Sequence, residues 1–170
     1  MARRPRPLDE DEARAWRAVL DGTQLVRARI ERELQRSGTV PPGYYGILVA
    51  LAEAPGRRLR MGDLAATTLS SPSRLSHAVD RLEALGWVER RACGVDGRGL
   101  DAVLTDAGAG ALDRAVPVAA TAVREHLLDV MDDDERATVA AVFGRVADRL
   151  RTELGMCARL VDKGDTDCCG

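Results

Sequence analysis

Residues 70–86 restrict the fold of this chain more than any other stretch, because they carry the signals of one short helix. Ser71 is a good N-cap, since its hydroxyl can accept a hydrogen bond from a free backbone N–H of the first turn. Pro72 suits the first helical position, where its missing N–H costs nothing, and Gly86 stands where a C-terminal cap belongs. Apolar residues recur at helical spacing and predict one buried face: Leu75, Ala78, Val79, Leu82 and Leu85.

The opposite face of this predicted helix is polar. Short hydroxyls, arginine cations and an imidazole can reach DNA phosphates or base edges in a groove. We therefore predict these DNA-contacting residues: Ser71, Ser73, Arg74, Ser76, His77 and Arg81. Two alternatives stay open, because such a face can simply be solvated and because Arg81 can instead tie the helix to Asp80, to Glu83 or to the segment that follows.

A shorter predicted helix precedes this one. Residues 61–68 form it, with Leu64, Ala65 and Leu69 expected to turn inward. Two short helices joined by a tight turn, the second with a polar face, are the pattern of a helix-turn-helix.

Two predicted strands follow the helix-turn-helix. Residues 87–91 leave the helix as a strand, and residues 100–104 alternate as the return strand. Asp96 and Gly97 form a strong turn pair between them, so the β-hairpin makes the motif a winged helix. Arg98 at the hairpin tip can enter a minor groove, where negative potential is concentrated, and Asp96 can hold Arg98 by a charge-assisted contact.

Three further amphipathic helices lie outside the winged helix. The first begins near Asp9, a long one follows the N-cap Thr105, and the last follows Asp132. Their apolar faces are, in chain order, Trp16, Val19 or Leu20, Thr23, Val26, Ile30 and Leu34; Leu112, Val116, Ala119, Val123, Leu127 and Val130; and Val139, Val142, Phe143, Val146, Leu150 and Leu154. Packing against the same helices of a second chain would bury these faces, so we predict a homodimer that presents two recognition helices to a palindromic operator.

The predicted fold class is mainly α with a small β-hairpin: a winged helix-turn-helix flanked by N- and C-terminal dimerisation helices. Aromatic residues make up only 3% of the chain, so the core must consist of Leu, Val and Ala. The predicted regions are a flexible basic arm (1–8), an N-terminal dimerisation helix (9–40), the winged helix-turn-helix DNA-binding region (41–104), C-terminal dimerisation helices (105–155) and a disordered tail (156–170).

The charge distribution favours DNA contact by the middle of the chain. The whole chain has a formal net charge of −2, but residues 57–98 carry eight arginines against five carboxylates. A locally basic segment in an acidic chain fits contact with a polyanion. An excess of three positive charges is modest, so a winged helix that binds a protein partner without any DNA sequence preference stays open as an alternative.

Several other functional classes find no support in the sequence. No apolar run is long enough to span a membrane, so we expect no membrane partner. The four cysteines form no disulfide framework, which predicts a cytoplasmic protein. No Gly-rich phosphate loop, nucleophile elbow or H-E-x-x-H motif occurs, so we predict no enzyme. With only His77 and His126 available, we also expect no metal site and no cofactor.

The chain resembles the MarR (multiple antibiotic resistance regulator) family of bacterial transcriptional regulators. Leu64-Ala65 matches the opening of the first helix of the family's helix-turn-helix. Residues 73–86, with Asp80-Arg81-Leu82-Glu83 at their centre, match its recognition helix. The most specific match is Asp96-x-Arg98 followed by Leu104-Thr105-x-x-Gly108.

The resemblance implies a homodimer with intertwined terminal helices, and most often a repressor. It implies a recognition helix in the major groove and Arg98 in the minor groove. Many members respond to small phenolic or lipophilic effectors bound near the dimer helices. The chain departs from the family at His77, where Arg is frequent, and at Gly97, where a bulkier or basic residue is frequent.

Two further hypotheses concern regulation. Trp16, Tyr44, Tyr45 and His126 can line an effector pocket, with ordinary packing as the alternative. Cys93, near the hairpin turn, can act as a redox switch, because nearby arginines favour a thiolate; an incidental thiol is the alternative.

Overall fold

A computed structural model describes residues 6–92 and 99–153 of the chain. The elements are, in chain order, α1 (Glu10–Ser37), α2 (Tyr45–Glu53), β1 (Arg58–Arg60), α3 (Met61–Thr67), α4 (Pro72–Ala84), β2 (Val88–Ala92), β3 (Leu100–Leu104), α5 (Asp106–Val123) and α6 (Asp133–Glu153). A short 3-10 turn precedes β1, and a π-helical turn, Arg124–Leu128, continues α5. Within the described ranges, no helix is both long and apolar enough to cross a membrane.

The first helix has a complete signal at each end. The Asp9 carboxylate accepts from the Glu12 backbone N–H at 2.9 Å, and the Glu12 carboxylate accepts from the Asp9 N–H at 3.0 Å. This reciprocal capping box satisfies two free donors of the first turn. Gly38 ends the helix in the left-handed conformation, with φ 66°, which glycine adopts without a steric penalty.

The winged helix-turn-helix and its hairpin confirm the predicted fold class. The three strands form an antiparallel sheet in the order β1-β3-β2. In the hairpin, Val88 lies opposite Leu104 and Ala92 lies opposite Leu100. Because Arg60 lies opposite Asp101, β1 ends at the side of the sheet where β2 stops and β3 begins. The sequence motifs identified β2 and β3 correctly, and β1 adds a third strand to the hairpin.

One core joins α1, α2, the helix-turn-helix and the sheet. Its largest fully buried side chains are Leu34, Val40, Leu48, Leu51, Leu64, Leu75, Val79, Leu82 and Val88. All are Leu or Val, as the low aromatic content predicts.

Thr105 connects the hairpin to α5. Its hydroxyl donates to the Gly86 carbonyl at 2.7 Å and accepts from the Gly108 N–H at 3.0 Å. A Cβ atom on Gly108 would lie 2.1 Å from the Trp87 carbonyl oxygen, so only glycine permits this approach of α5 to the start of β2. The Thr105-x-x-Gly108 motif therefore fixes α5 against the recognition helix and the wing.

Some predicted core positions are wrong. Leu69 is 82% exposed, because it occupies the turn after α3 with φ 51° and points away from the core. Leu85 is 47% exposed at the C-cap of α4. On the long helix, the predicted stripe residues Val116, Leu127 and Val130 are exposed in the single chain, and their burial against a second chain stays a prediction. The buried residues of α5 are mostly small, because they allow close approach: Gly108, Ala111, Leu112, Ala115, Ala119 and Ala122.

The last helix buries none of its residues in the single chain. Its exposed apolar side chains are Val139, Val142, Phe143, Val146 and Leu150. Along α1, Trp16 and Val19 are also exposed. The terminal helices therefore form as predicted. Leu34 of α1 and the small residues of α5 join the core, whereas the apolar face of α6 and the first half of the α1 face stay exposed.

Candidate nucleic-acid interface

The recognition helix α4 has the predicted signals at both ends. The Ser71 hydroxyl accepts from the Arg74 N–H at 3.4 Å, and Pro72 occupies the first turn. At the other end, Gly86 has φ 71°, and its N–H donates to the Glu83 carbonyl at 2.8 Å. Since the next N–H, that of Trp87, donates to the Leu82 carbonyl at 2.9 Å, the chain leaves the helix in a fixed direction.

The exposed face of α4 carries most of the predicted DNA contacts together. Leu75, Val79 and Leu82 are buried beneath this face. The exposed predicted residues are Ser71, Ser73, Arg74, His77 and Arg81. Ser76 is only half-buried and lies on the side of α4 that faces β2.

Arg90 on β2 holds α4 against the wing. Its side chain is only 18% exposed and forms ion pairs with Asp80, at 2.7 Å, and with Glu83. Its Nη2 donates to the Ser76 carbonyl at 3.0 Å, and its backbone N–H donates to Glu83 Oε1 at 2.7 Å. Charge-assisted bonds of this kind fix orientation as well as adding energy.

Arg90, rather than Arg81, ties α4 to the segment that follows, so the alternative that the sequence left open for Arg81 belongs to Arg90. Arg81 is exposed and has no ion pair within the described part of the chain. Strand alternation could have indicated that Arg90 faces inward, because Val88 is buried and Arg90, two residues later, lies on the same face of β2. We name these four residues, Ser76, Asp80, Glu83 and Arg90, the Arg90 cluster.

The winged-helix arginines that have no ion pair lie on two elements, β1 and α4. Among residues 6–92 and 99–153, the winged-helix arginines without an ion pair are Arg58, Arg60, Arg74 and Arg81. Arg57 instead pairs with Asp106 at 3.2 Å, and Arg91 pairs with Glu89. The predicted wing residues Asp96 and Arg98, and Cys93, lie outside the described residues.

A groove separates the start of α4 from the base of the wing. Its volume is about 540 Å³. Arg60, Gly62, Ser76 and Arg90 line it, together with Gly99 at the return of the hairpin. Within the described residues, Arg60 is the cation of this groove without an ion pair, because Arg90 is held by Asp80 and Glu83, and Asp63 adds a carboxylate to the lining. Gly62 and Gly99 have no side chain, so a backbone can approach closely beside Arg60.

A second cavity, which we name the α1–α2 cleft, lies between α1, the start of α2 and the turn of the helix-turn-helix. Its volume is about 570 Å³. Of the four predicted pocket residues, Tyr45 lines the cleft, whereas Trp16, Tyr44 and His126 do not. Burial and the negative charge of Glu53 raise the pKa of Tyr45 above its ordinary value.

One wall of this cleft, which was not predicted from the sequence, consists of Thr67, Thr68 and Ser70. These residues follow α3 directly and carry no periodic signal. No group of three or more potential metal ligands occurs among the residues that the structure describes.

Comparisons with known proteins agree on one family. A model of the MarR family matches residues 39–99. Sco3205, a MarR family transcriptional regulator from Streptomyces coelicolor solved in complex with DNA, is 41% identical; the alignment covers 88% of this chain and 94% of that one, with a TM-score of 0.78. The chain belongs to the MarR family. It is thus a winged helix-turn-helix transcriptional regulator.

Two further solved structures extend this comparison. AbsC, a MarR family regulator from Streptomyces coelicolor, is 36% identical, with 87% of this chain and 99% of that chain covered and a TM-score of 0.76. BpsR from Bordetella bronchiseptica is 16% identical, with 79% and 98% covered and a TM-score of 0.68, and shows the shared fold alone. A search of curated proteins finds no match.

Proposed function

We propose that this MarR family regulator is a homodimeric, sequence-specific DNA-binding repressor that a small molecule releases from its operator. The observation that carries the proposal is the exposed polar face of α4, held in place by the Arg90 cluster. A rigid helix is needed because base readout depends on side chains that reach base edges in a fixed register.

The proposed contacts divide between bases and phosphates. Arg74, His77 and Arg81 lie on the exposed face of α4 and would enter the major groove, with Ser71 and Ser73 at its start. An α-helix with its side chains is about 10–12 Å across, which suits a major groove about 12 Å wide. Sco3205 was solved in complex with DNA, which supports this assignment.

The wing would read the adjacent minor groove through Arg98, with Asp96 as its support. The DNA backbone strand that separates the two grooves must then pass between α4 and the wing. The groove beside Arg60 lies at this position. We therefore add Arg60 as a phosphate contact.

The terminal helices would form the dimer. The uncovered apolar side chains of α6, and Trp16 and Val19 of α1, need a partner. A two-fold dimer would present two α4 helices to the half-sites of a palindrome. On this basis we keep the regions 9–40 and 105–155 as dimerisation helices, and 41–104 as the DNA-binding region. Because its partner is the cell's DNA, we place the protein in the cytoplasm.

The α1–α2 cleft is the proposed effector site. One wall belongs to α1, and another belongs to the turn between α3 and α4. A ligand in the cleft would therefore touch a dimerisation helix and the DNA-reading motif together, and can favour one spacing of the two α4 helices over another. In BpsR, 6-hydroxynicotinic acid regulates DNA binding.

Fluorescence anisotropy with the DNA flanking the protein's own gene tests the proposal, using scrambled DNA of equal length as control. We expect tighter binding to the flanking DNA, with log Kd rising by about 0.9 per log unit of salt for each phosphate contacted. Equal, weak binding to both DNAs would contradict it and would favour a winged helix that binds a protein partner.

A further inference from the structure

The α1–α2 cleft has the size and the apolar surface of a small-molecule site. Its volume, about 570 Å³, lies within the range of about 300–1,000 Å³ for ligand pockets. Apolar side chains from both helices form much of the wall: Val26, Ile30, Leu34, Ile47, Val49 and Ala50. A ring-sized apolar body would fit against this surface.

The charged residues of the cleft have a negative balance. Arg27, Glu31 and Glu53 are the charged side chains in its lining. Arg27 Nε lies 3.4 Å from Glu31 Oε1, so these two charges largely cancel. Glu53 has no ion pair within the described ranges, and its carboxylate leaves a net charge of −1.

The hydroxyl groups of the cleft mostly offer lone pairs. Thr23 Oγ1 donates to the Val19 carbonyl at 2.7 Å, and Thr68 Oγ1 donates to the Leu64 carbonyl at 2.7 Å. Ser70 Oγ donates to the Thr68 carbonyl at 3.3 Å. Each hydroxyl has one proton, so these three oxygens can only accept a further hydrogen bond. Tyr45 and Thr67 supply the other hydroxyls.

We infer that the α1–α2 cleft selects small molecules with an apolar ring and a protonated amine, and discriminates against carboxylates. The amine would supply the N–H donors that the hydroxyl oxygens lack, and its positive charge would face Glu53. A carboxylate brings only acceptors and a like charge. This inference rests on the proposed effector site and names its ligand class.

Two probes with the same ring and opposite charges test this selection. We would titrate 2-naphthylmethylamine and 2-naphthoate into the full-length protein at pH 7 by isothermal calorimetry. The amine is expected to bind at least tenfold more tightly. Glu53→Gln should remove most of this preference, and Asp113→Asn, which removes an exposed carboxylate of α5 outside the cleft, should leave it intact. Unchanged circular dichroism melting would show that both variants are folded.

The outcomes separate ligand class from effector function. Equal or tighter binding of 2-naphthoate, an unchanged preference in Glu53→Gln, or no binding of either probe at millimolar concentration would overturn the inference. Anisotropy of the operator complex, measured with the amine present, tests release independently. If the amine binds with the expected preference and DNA stays bound, the ligand class stands and the proposed release is contradicted.

Discussion

The winged helix and the terminal helices differ in how they satisfy their apolar faces. In α4, Leu75, Val79 and Leu82 are fully buried within the same chain. In α6, every described apolar residue keeps part of its surface exposed, and Phe143 is 41% exposed. Both helices have regular apolar spacing, so the spacing alone does not tell where a face will be buried. The DNA-reading unit completes its core within one chain, whereas the apolar face of α6 stays exposed in the single chain.

The largest expected effect comes from a charge on the uncovered face. Phe143→Glu should convert the dimer to a monomer and weaken operator binding by about 10²- to 10⁴-fold, because two linked half-site contacts become separate ones. Light scattering and anisotropy measure the two effects. The control is Glu135→Gln, at the start of α6 and outside the apolar face. A monomeric wild type, or a dimeric Phe143→Glu variant with full affinity, would contradict this role of α6.

The next largest effect is expected from a substitution on the buried face of α4. Leu82→Ala should lower the free energy of unfolding by about 2–5 kcal/mol, because it leaves a cavity in the core. Leu85→Ala, three residues later and 47% exposed, should cost clearly less. Urea denaturation compares the two variants. Similar losses would mean that α4 is not buried as described.

A smaller effect is expected at the junction of helix and wing. Arg90→Ala removes the bonds to Asp80, Glu83 and the Ser76 carbonyl, and should cost about 1–3 kcal/mol of stability. Arg91→Ala, the matched change on the same strand, removes only an exposed pair with Glu89 and should cost less than about 1 kcal/mol. Thermal melting compares them. Equal costs would show that the Arg90 cluster does not hold α4.

The smallest effect concerns the helix cap. Ser71→Ala should destabilise the protein by about 1 kcal/mol, because the Arg74 N–H loses its acceptor. Ser73→Ala, inside the first turn, serves as the control and should be nearly neutral. Chemical denaturation of both variants checks the difference, and an equal effect would argue against capping by Ser71.

Local signals predicted more of this molecule than long-range ones. Ser71, Pro72 and Gly86 act within a few residues of themselves, so the bounds of α4 could be predicted from the sequence. The exposure of Leu69 could not be predicted in this way, because its helical spacing favours burial whereas the residue lies in the turn between α3 and α4 with φ 51°. On α5, the spacing of the large apolar residues placed Val116 on the buried face. The positions buried in the single chain are mostly alanines, because small side chains allow neighbouring elements to approach closely.

The candidate site shows the same limit. The exposed face of α4 was predictable from helical periodicity, since it lies opposite the apolar stripe. The Arg90 cluster joins residues up to 14 positions apart, so strand alternation could place Arg90 on the inner face of β2 but could not identify its partners. The α1–α2 cleft combines three segments, so the sequence alone did not show which predicted pocket residues meet there. Tyr45 lines the cleft, whereas Trp16, Tyr44 and His126 do not.

The most direct test of the account is selection of binding sites from random DNA by the wild type and by Arg74→Ala and His77→Ala. Direct readout by α4 predicts a palindromic wild-type site, and each variant should relax the preference at its own base positions by about 1–3 kcal/mol. Glu125→Gln, outside α4, should select the wild-type site. Identical sites for all four proteins, or no enriched site for the wild type, would contradict sequence reading by the exposed face of α4.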